Sequence, residues 1–254
     1  PTVAPSAEAV TPNAPVPHAL TTEEIAELVQ AFAEAAKRAH AAGFKVLEIH
    51  GAHGYLIQSF LSPLGNKRND GYGGDIQGRM RFALEVTEAV RAAWPDDLPL
   101  FFRISAVDGS DDGWSLDDSV VLARELAARG VDVVDCSAGG IKGAPAFRTP
   151  VQGGGERPPG FQVPYADRVK HDSGVKTMAV GVIYDPHQAE AILTEDRADL
   201  VALGREIMYN PFWPLHAAEA LDADPKHDMW PEQYGWAVKR RSQILGFKGL
   251  RAAE

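Results

Sequence analysis

An α/β fold organised on a parallel sheet is predicted by three features of this sequence. Short apolar runs alternate with amphipathic helical stretches, most runs give way to glycine, and 45% of the 254 residues are hydrophobic, enough for one sizeable core and too little for two. Strands that alternate with helices in this way lie parallel, joined by right-handed crossovers. An open sheet and a closed barrel both satisfy that pattern. No G-x-G-x-x-G follows a first strand, which weakens the dinucleotide-binding open sheet.

The elements follow in order. Residues 1–20 are rich in Pro and Ala, and composition alone makes them a linker or tail. A helix is predicted from Thr22 to Ala42, with Ile25, Leu28, Val29, Phe32, Ala36 and Ala39 on one face, a Thr21/Glu24 capping box and Gly43 as its stop. Lys45 to Ile49 reads as a strand. A second helix runs from Arg79 to Trp94, before Pro95, and Pro99 to Ser105 forms a strand in which Arg103 sits among apolar neighbours and needs an anionic partner. The pattern repeats with a helix at Leu116–Ala128, stopped by Gly130, and a strand at Val131–Cys136. Residues 141–163 form a long Gly- and Pro-rich βα loop. Beyond it come a short helix at Pro164–His171, a strand at Lys176–Val180 meeting Gly181, and a helix from Pro186, capped by Asp185, to Leu193. A last strand, Asp199–Leu203, meets Gly204-Arg205, and Asn210-Pro211 opens the next helix.

The chemistry concentrates after the first of these strands. His50, His53 and Tyr55 follow it within six positions, between glycines that let the backbone turn and bring polar side chains together. The stretch from Glu48 to Phe82 contains Glu48-Ile49-His50, Ala52-His53-Gly54-Tyr55-Leu56, Phe60-Leu61-Ser62-Pro63, Asn66, Arg68, Asp70, Tyr72-Gly73-Gly74 and Arg79-Met80-Arg81-Phe82. In that order these residues closely resemble the signature of the Old Yellow Enzyme family of flavin-dependent ene reductases, in its xenobiotic reductase-like subclass. Two departures, Asn69 for the family's threonine and Gly78 for its asparagine, bear on local capping.

The resemblance covers essentially the whole chain and implies a TIM (β/α)8 barrel as a single FMN-binding domain over residues 1–254. About five of the eight βα units are present, the N-terminal three being the ones the family pattern has in addition. It also implies that Val3-Ala4-Pro5-Ser6-Ala7 packs on the barrel. In this reading His50 and His53 bind the carbonyl oxygen of an α,β-unsaturated substrate, where two imidazole N–H groups stabilise developing negative charge. Tyr55 gives the α-carbon its proton, since phenols are protonated at neutral pH. Arg103 faces the flavin where negative charge accumulates on reduction, and Gly181, Gly204 and Arg205 hold the flavin phosphate at the last two strand ends. The implied cofactors are FMN and NADPH or NADH as reductant; the implied activity is hydride transfer to an activated C=C bond.

Blander readings stand beside each of these. The H-x-x-H pair also suits two ligands of a metal, with no third or fourth suggested nearby, or a structural pair. Tyr55 suits ring packing, Arg103 a structural ion pair, and each glycine a simple turn. Cys136 is a small buried strand residue without chemistry. In the family subclass a terminal residue reaches a neighbouring subunit's site, and Trp236 is the one that corresponds; sealing of the chain end by aromatics is the alternative.

A formal charge of −10 without a basic run argues against nucleic-acid and anionic-membrane partners. No signal-peptide pattern opens the sequence, and one cysteine suits a reducing compartment, so a cytoplasmic location is expected. The expected partners are a small enone-type substrate and a complementary N-terminal segment or a homo-oligomer, because five strands leave two unpaired edges. Another FMN-linked barrel oxidoreductase, or a non-catalytic fragment acting in an assembly, are the competing functions.

Overall fold

A computed structural model describes residues 2–9, 13–141 and 157–245. The N-terminal segment is held in place. Strand β1 (Val3–Ala4) pairs in parallel with β2 (His18–Ala19). Pro5 and Ser6 are buried, Arg68 Nη1 donates to the carbonyls of Pro5 and Leu20, and the Lys67 N–H donates to Ser6 Oγ. Helix α1 (Thr22–Ala41) has the capping box, with Thr21 Oγ1 accepting from the Glu24 N–H and Glu24 accepting from the Thr21 N–H. Gly43, at φ +92°, ends the element in the left-handed region that glycine tolerates.

Then follow β3 (Leu47–Gly51), α2 (Leu56–Leu61), α3 (Ile76–Ala93), β4 (Leu100–Ser105), α4 (Leu116–Ala127), β5 (Val133–Ser137), α5 (Val163–Ser173), β6 (Lys176–Val180), α6 (Pro186–Thr194), β7 (Leu200–Ala202), α7 (Arg205–Tyr209), α8 (Trp213–Ala220) and α9 (Glu232–Leu245). The five strands β3 to β7 form one parallel sheet in sequence order, a partial barrel that the described residues do not close. Its convex side packs under the helices. Leu100, Phe102, Ile104, Val134, Cys136 and Ala179 are buried there with Ile25, Phe82 and Leu122 from the helices.

Because side chains alternate across a strand, the register decides what shares the concave face. His50, Arg103, Asp135, Met178 and Leu200 fall in one row across all five strands. Ser105 and Ser137 pair one row further toward the C-terminal strand ends.

Several boundaries differ from expectation. The first strand of the sheet begins at Leu47, not Lys45, because pairing sets it: the Leu47 N–H donates to the Pro99 carbonyl, while Phe44 and Val46 remain exposed. His50 therefore lies inside the strand. The strand expected from Val131 starts at Val133. The helix expected from Asn210-Pro211 begins at Trp213; the Asn210 carbonyl accepts from the Trp213 N–H, leaving Pro211 in the turn. Helix α3 starts at Ile76 because Asp75 caps it, accepting from the Gly78 N–H at 2.9 Å. Of the expected loop over 141–163, residues 142–156 lie outside the described ones.

Candidate functional site

The site grows from the turn after β3. His53 takes φ +60°, an uncommon conformation for a non-glycine residue and a functional signal when the surroundings enforce it. The enforcement is visible. The His53 N–H donates to Ser105 Oγ at 3.0 Å, and that hydroxyl donates to the Gly139 carbonyl at 2.5 Å. The Gly54 N–H donates to Gln58 Oε1 at 2.6 Å. Gly54 itself, at φ +78°, passes so close to the β5 end that a Cβ would lie 2.1 Å from the Gly140 carbonyl oxygen.

This turn gathers three of the expected residues. The rings of His50 and His53 meet edge to face at 5.1 Å, and those of His50 and Tyr55 at 5.3 Å. His50 Nδ1 accepts from the Ala52 N–H at 3.1 Å, so the neutral ring carries its proton on Nε2. That Nε2–H faces His53 Nδ1 at 3.3 Å. Burial and the Arg103 guanidinium hold both histidines below their usual pKa, His53 at about 4, so the pair is neutral at pH 7 and its ring protons are available as donors. Tyr55 is 66% exposed at the helix start, its ring against His50.

Arg103 stands beside His50 in the register row, and its expected anionic partner is Asp135. Nε lies 3.1 Å from Oδ2 of this buried carboxylate, and Nη2 donates to Ser137 Oγ at 3.2 Å. Oδ1 of Asp135 accepts from nothing among the described residues. Burial pushes the Asp135 carboxyl up to about 7 against the pull of Arg103, with Glu48 adding to the rise. Sequence reasoning missed Asp135, although the signal that singled out Arg103, one charge in an apolar strand, is present in Val133-Val134-Asp135-Cys136. Ser105, Gln58 and Asp108 were missed for another reason: their role is contact made across the fold.

Arg103 also borders a cavity of about 520 Å³ at the C-terminal ends of β5, β6 and β7, within the usual size range of ligand pockets. Gly181, Gly204 and Arg205 line it too, so the expected phosphate residues share one cavity with Arg103, while His50, its partner in the register on the neighbouring strand, and His53 and Tyr55 are not among the lining residues. A Cβ on Gly204 would meet nothing within 4 Å. Gln162, whose Nε2 donates to the Val180 carbonyl at 3.0 Å, and Arg157 line the same space. Trp236 is 67% exposed on α9 and is not among these lining residues. Among the described residues no group of three or more His, Cys, Asp or Glu side chains is placed to hold a metal ion, and no helix is long and apolar enough to cross a membrane.

Comparison with known proteins agrees with this architecture. A sequence profile of the NADH:flavin oxidoreductase / NADH oxidase family matches residues 1–224. The chain is 46% identical over 236 residues to an NADPH dehydrogenase of Geobacillus thermodenitrificans, covering 92% of this chain and 65% of that protein. It is 45% identical over 205 residues to an NADPH dehydrogenase of Halalkalibacterium halodurans, covering 81% of this chain and 57% of the relative. It thus spans less than two thirds of the length of either relative. Among solved structures, a morphinone reductase in complex with tetrahydroNAD superposes with a TM-score of 0.68 at 27% identity, over 85% of this chain and 58% of the other. A 2-naphthoyl-CoA reductase complex superposes with a TM-score of 0.77 at 26% identity, over 89% and 33%.

Proposed function

Since the chain belongs to the NADH:flavin oxidoreductase / NADH oxidase family, with the Old Yellow Enzyme signature in its histidine turn, we propose that it carries the substrate-binding and phosphate-binding parts of an FMN-dependent ene reductase. The observation that carries this reading is the joining of two half-sites at one residue: Arg103 pairs in register with His50 on one side and borders the glycine-lined cavity on the other. The cavity residues fit FMN chemically. Arg103 supplies a fixed cation, Arg205 a second, and Gly204 leaves open space where a side chain would intrude. Bound there, FMN would accept hydride from NADPH or NADH and deliver it to the β-carbon of an activated C=C bond.

The residues of this chain do the rest. His50 Nε2–H donates to the substrate carbonyl oxygen in place of His53 Nδ1, which releases the His53 ring to present an N–H of its own. Two neutral donors stabilise the charge that develops on that oxygen. Tyr55, beside His50, gives its phenolic proton to the α-carbon. Asp135 and Ser137 fix the Arg103 guanidinium so that its charge faces the cavity without needing to reorganise. The edges of β3 and β7, and the concave face where Glu48 and His50 are exposed, are covered by further barrel strands or by a second copy.

The test is a purified protein containing this chain, assayed for visible flavin absorbance and for NADPH oxidation with a cyclic enone as acceptor. Stopped-flow on Tyr55→Phe separates the half-reactions: flavin reduction by NADPH stays near wild type and enone reduction slows by about a hundredfold. Slowing of the first half-reaction alone would overturn the role of Tyr55, and a protein without flavin would overturn the whole reading.

A further inference from the structure

Behind the histidine turn lies a buried chain of hydrogen bonds that the proposed reaction does not use. Asp108 has no solvent exposure, yet its carboxylate is held by neutral donors. It accepts from Gln58 Nε2 at 2.8 Å through Oδ1, and from Ser62 Oγ at 2.5 Å and the Trp114 N–H at 2.7 Å through Oδ2. Gln58 is 1% exposed and has its other amide atom on the Gly54 N–H.

We propose that Asp108 and Gln58 are positioning residues whose fixed donor and acceptor order holds the His53-Gly54-Tyr55 turn in its strained form. A carboxylate only accepts, so it takes the NH2 side of the Gln58 amide and forces Oε1 toward Gly54. Together with Ser105, which grips the adjacent His53 N–H, the arrangement fixes two successive backbone amides from the end of β4. The orientation of both imidazoles and the Tyr55 ring follows from that backbone. The catalytic meaning of this grip rests on the proposed reading of these three residues as the carbonyl-binding and proton-donating end.

The donor order gives the proposal its test. In Asp108→Asn the remaining oxygen must serve the Trp114 N–H, which has no freedom to turn, so the new NH2 group faces Gln58 Nε2, donor against donor. Flipping Gln58 only moves the conflict to Gly54. Adding Gln58→Glu removes it, because a carboxylate at position 58 accepts from the amide introduced at position 108 on one side and from the Gly54 N–H on the other. Both variants are made in the whole protein that carries this chain. Amide exchange at His53 and Gly54 and the ring resonances of His50, His53 and Tyr55 are recorded, with affinity for a phenol alongside, since a phenol oxygen would accept from the two imidazoles in the place proposed for the substrate carbonyl.

In the single variant, Gly54 amide exchange accelerates and phenol affinity falls, each by roughly tenfold, and the ring resonances move. The double variant returns all three toward wild type. Unchanged exchange and resonances in the single variant would overturn the proposal, as would a double variant no better than the single. If Asp108→Asn does not fold, the double variant alone decides: restored resonances support the grip and their failure to return overturns it. A wild-type protein that neither binds phenol nor reduces enones, but whose amide exchange follows the donor order, would remove the enone reading and leave the grip standing.

Discussion

Two glycine turns at the C-terminal ends of this sheet are assigned complementary tasks, and they are built differently. At His53-Gly54 both backbone N–H groups are held by side chains, and a Cβ on the glycine would collide with the Gly140 carbonyl oxygen at 2.1 Å. At Gly204-Arg205 the preceding strand has three residues, Leu200 is 40% exposed, and a Cβ on the glycine would touch nothing within 4 Å. The helix that follows has no buried residue, with Met208 81% and Tyr209 87% exposed. The first turn is specified within this chain. The second is held more lightly, by Leu203 and Ile207, which pack half-buried against the core on either side of it. Packing is thus tight at the turn proposed to place oxygen atoms and protons, and open at the turn proposed to hold the phosphate.

The largest effect is expected from removing the donors of the first turn. Changing both His50 and His53 to Ala lowers enone turnover by about a thousandfold, given that one oxyanion donor is commonly worth roughly a hundredfold or more, and weakens phenol binding in equilibrium titration. Arg205→Ala leaves phenol binding intact and reduces flavin affinity by about tenfold. If instead the double histidine variant sheds flavin as readily as Arg205→Ala does, the two ends are not separate and the comparison fails.

The glycines themselves come next. Gly54→Ala must both adopt φ +78° and clear a backbone oxygen, so a loss of about 3 kcal/mol or more is expected in urea unfolding. Gly204→Ala, whose Cβ would meet open space, costs less stability than Gly54→Ala does. Its cost appears as weaker flavin binding, because the added methyl occupies the cavity. Equal destabilisation by the two substitutions would show that the second turn is packed as tightly as the first.

The same contrast explains which parts of the molecule the sequence discloses. Helix α1, with Thr21 and Glu24 at its start and Gly43 after it, and strand β6, bounded by Gly174 and Gly181, are determined by residues within a few positions and fall where expected. Helices α2 and α7, of six and five residues, lack a side-chain cap at the start and escape periodicity, which needs two turns or more. Strand β3 is displaced because its pairing with β4, not its own apolar run, sets the limit. Residue type and the family signature single out His50, His53, Tyr55 and Arg103, and the fold brings the first three together beside the fourth. Neither singles out Asp108, since Asp108-Gly109-Ser110-Asp111-Asp112-Gly113 has the composition of a solvated loop, and only the fold turns its first carboxylate inward.

The smallest expected effect is a cancellation between His53 and Asp135, two groups that both feel the Arg103 charge. His53 has its folded pKa depressed to about 4 from an ordinary 6.5, so the unfolded chain binds a proton that the folded one does not, and stability from this group falls as pH drops through that window. Asp135 has the opposite sign. Its folded pKa is raised to about 7 from an ordinary 3.8, so the folded chain keeps a proton that the unfolded one has released, and stability from this group falls as pH rises. Between about pH 4 and 6.5 the two slopes oppose each other. Asp135→Asn removes the falling arm, so the stability of the variant relative to wild type climbs from pH 4 to 7. His53→Asn, with asparagine chosen because it tolerates a positive φ, removes the rising arm, and its relative stability declines from pH 4 to 6.5. The two changes combined give a profile parallel to wild type over pH 4 to 6.5. Arg205→Ala, which alters no group titrating in this range, runs parallel throughout. Urea unfolding at half-unit pH steps distinguishes these outcomes. A flat difference curve for Asp135→Asn would mean that Arg103 holds the carboxyl ionised across the range, and a sloped one for Arg205→Ala would tie the open turn to the buried row.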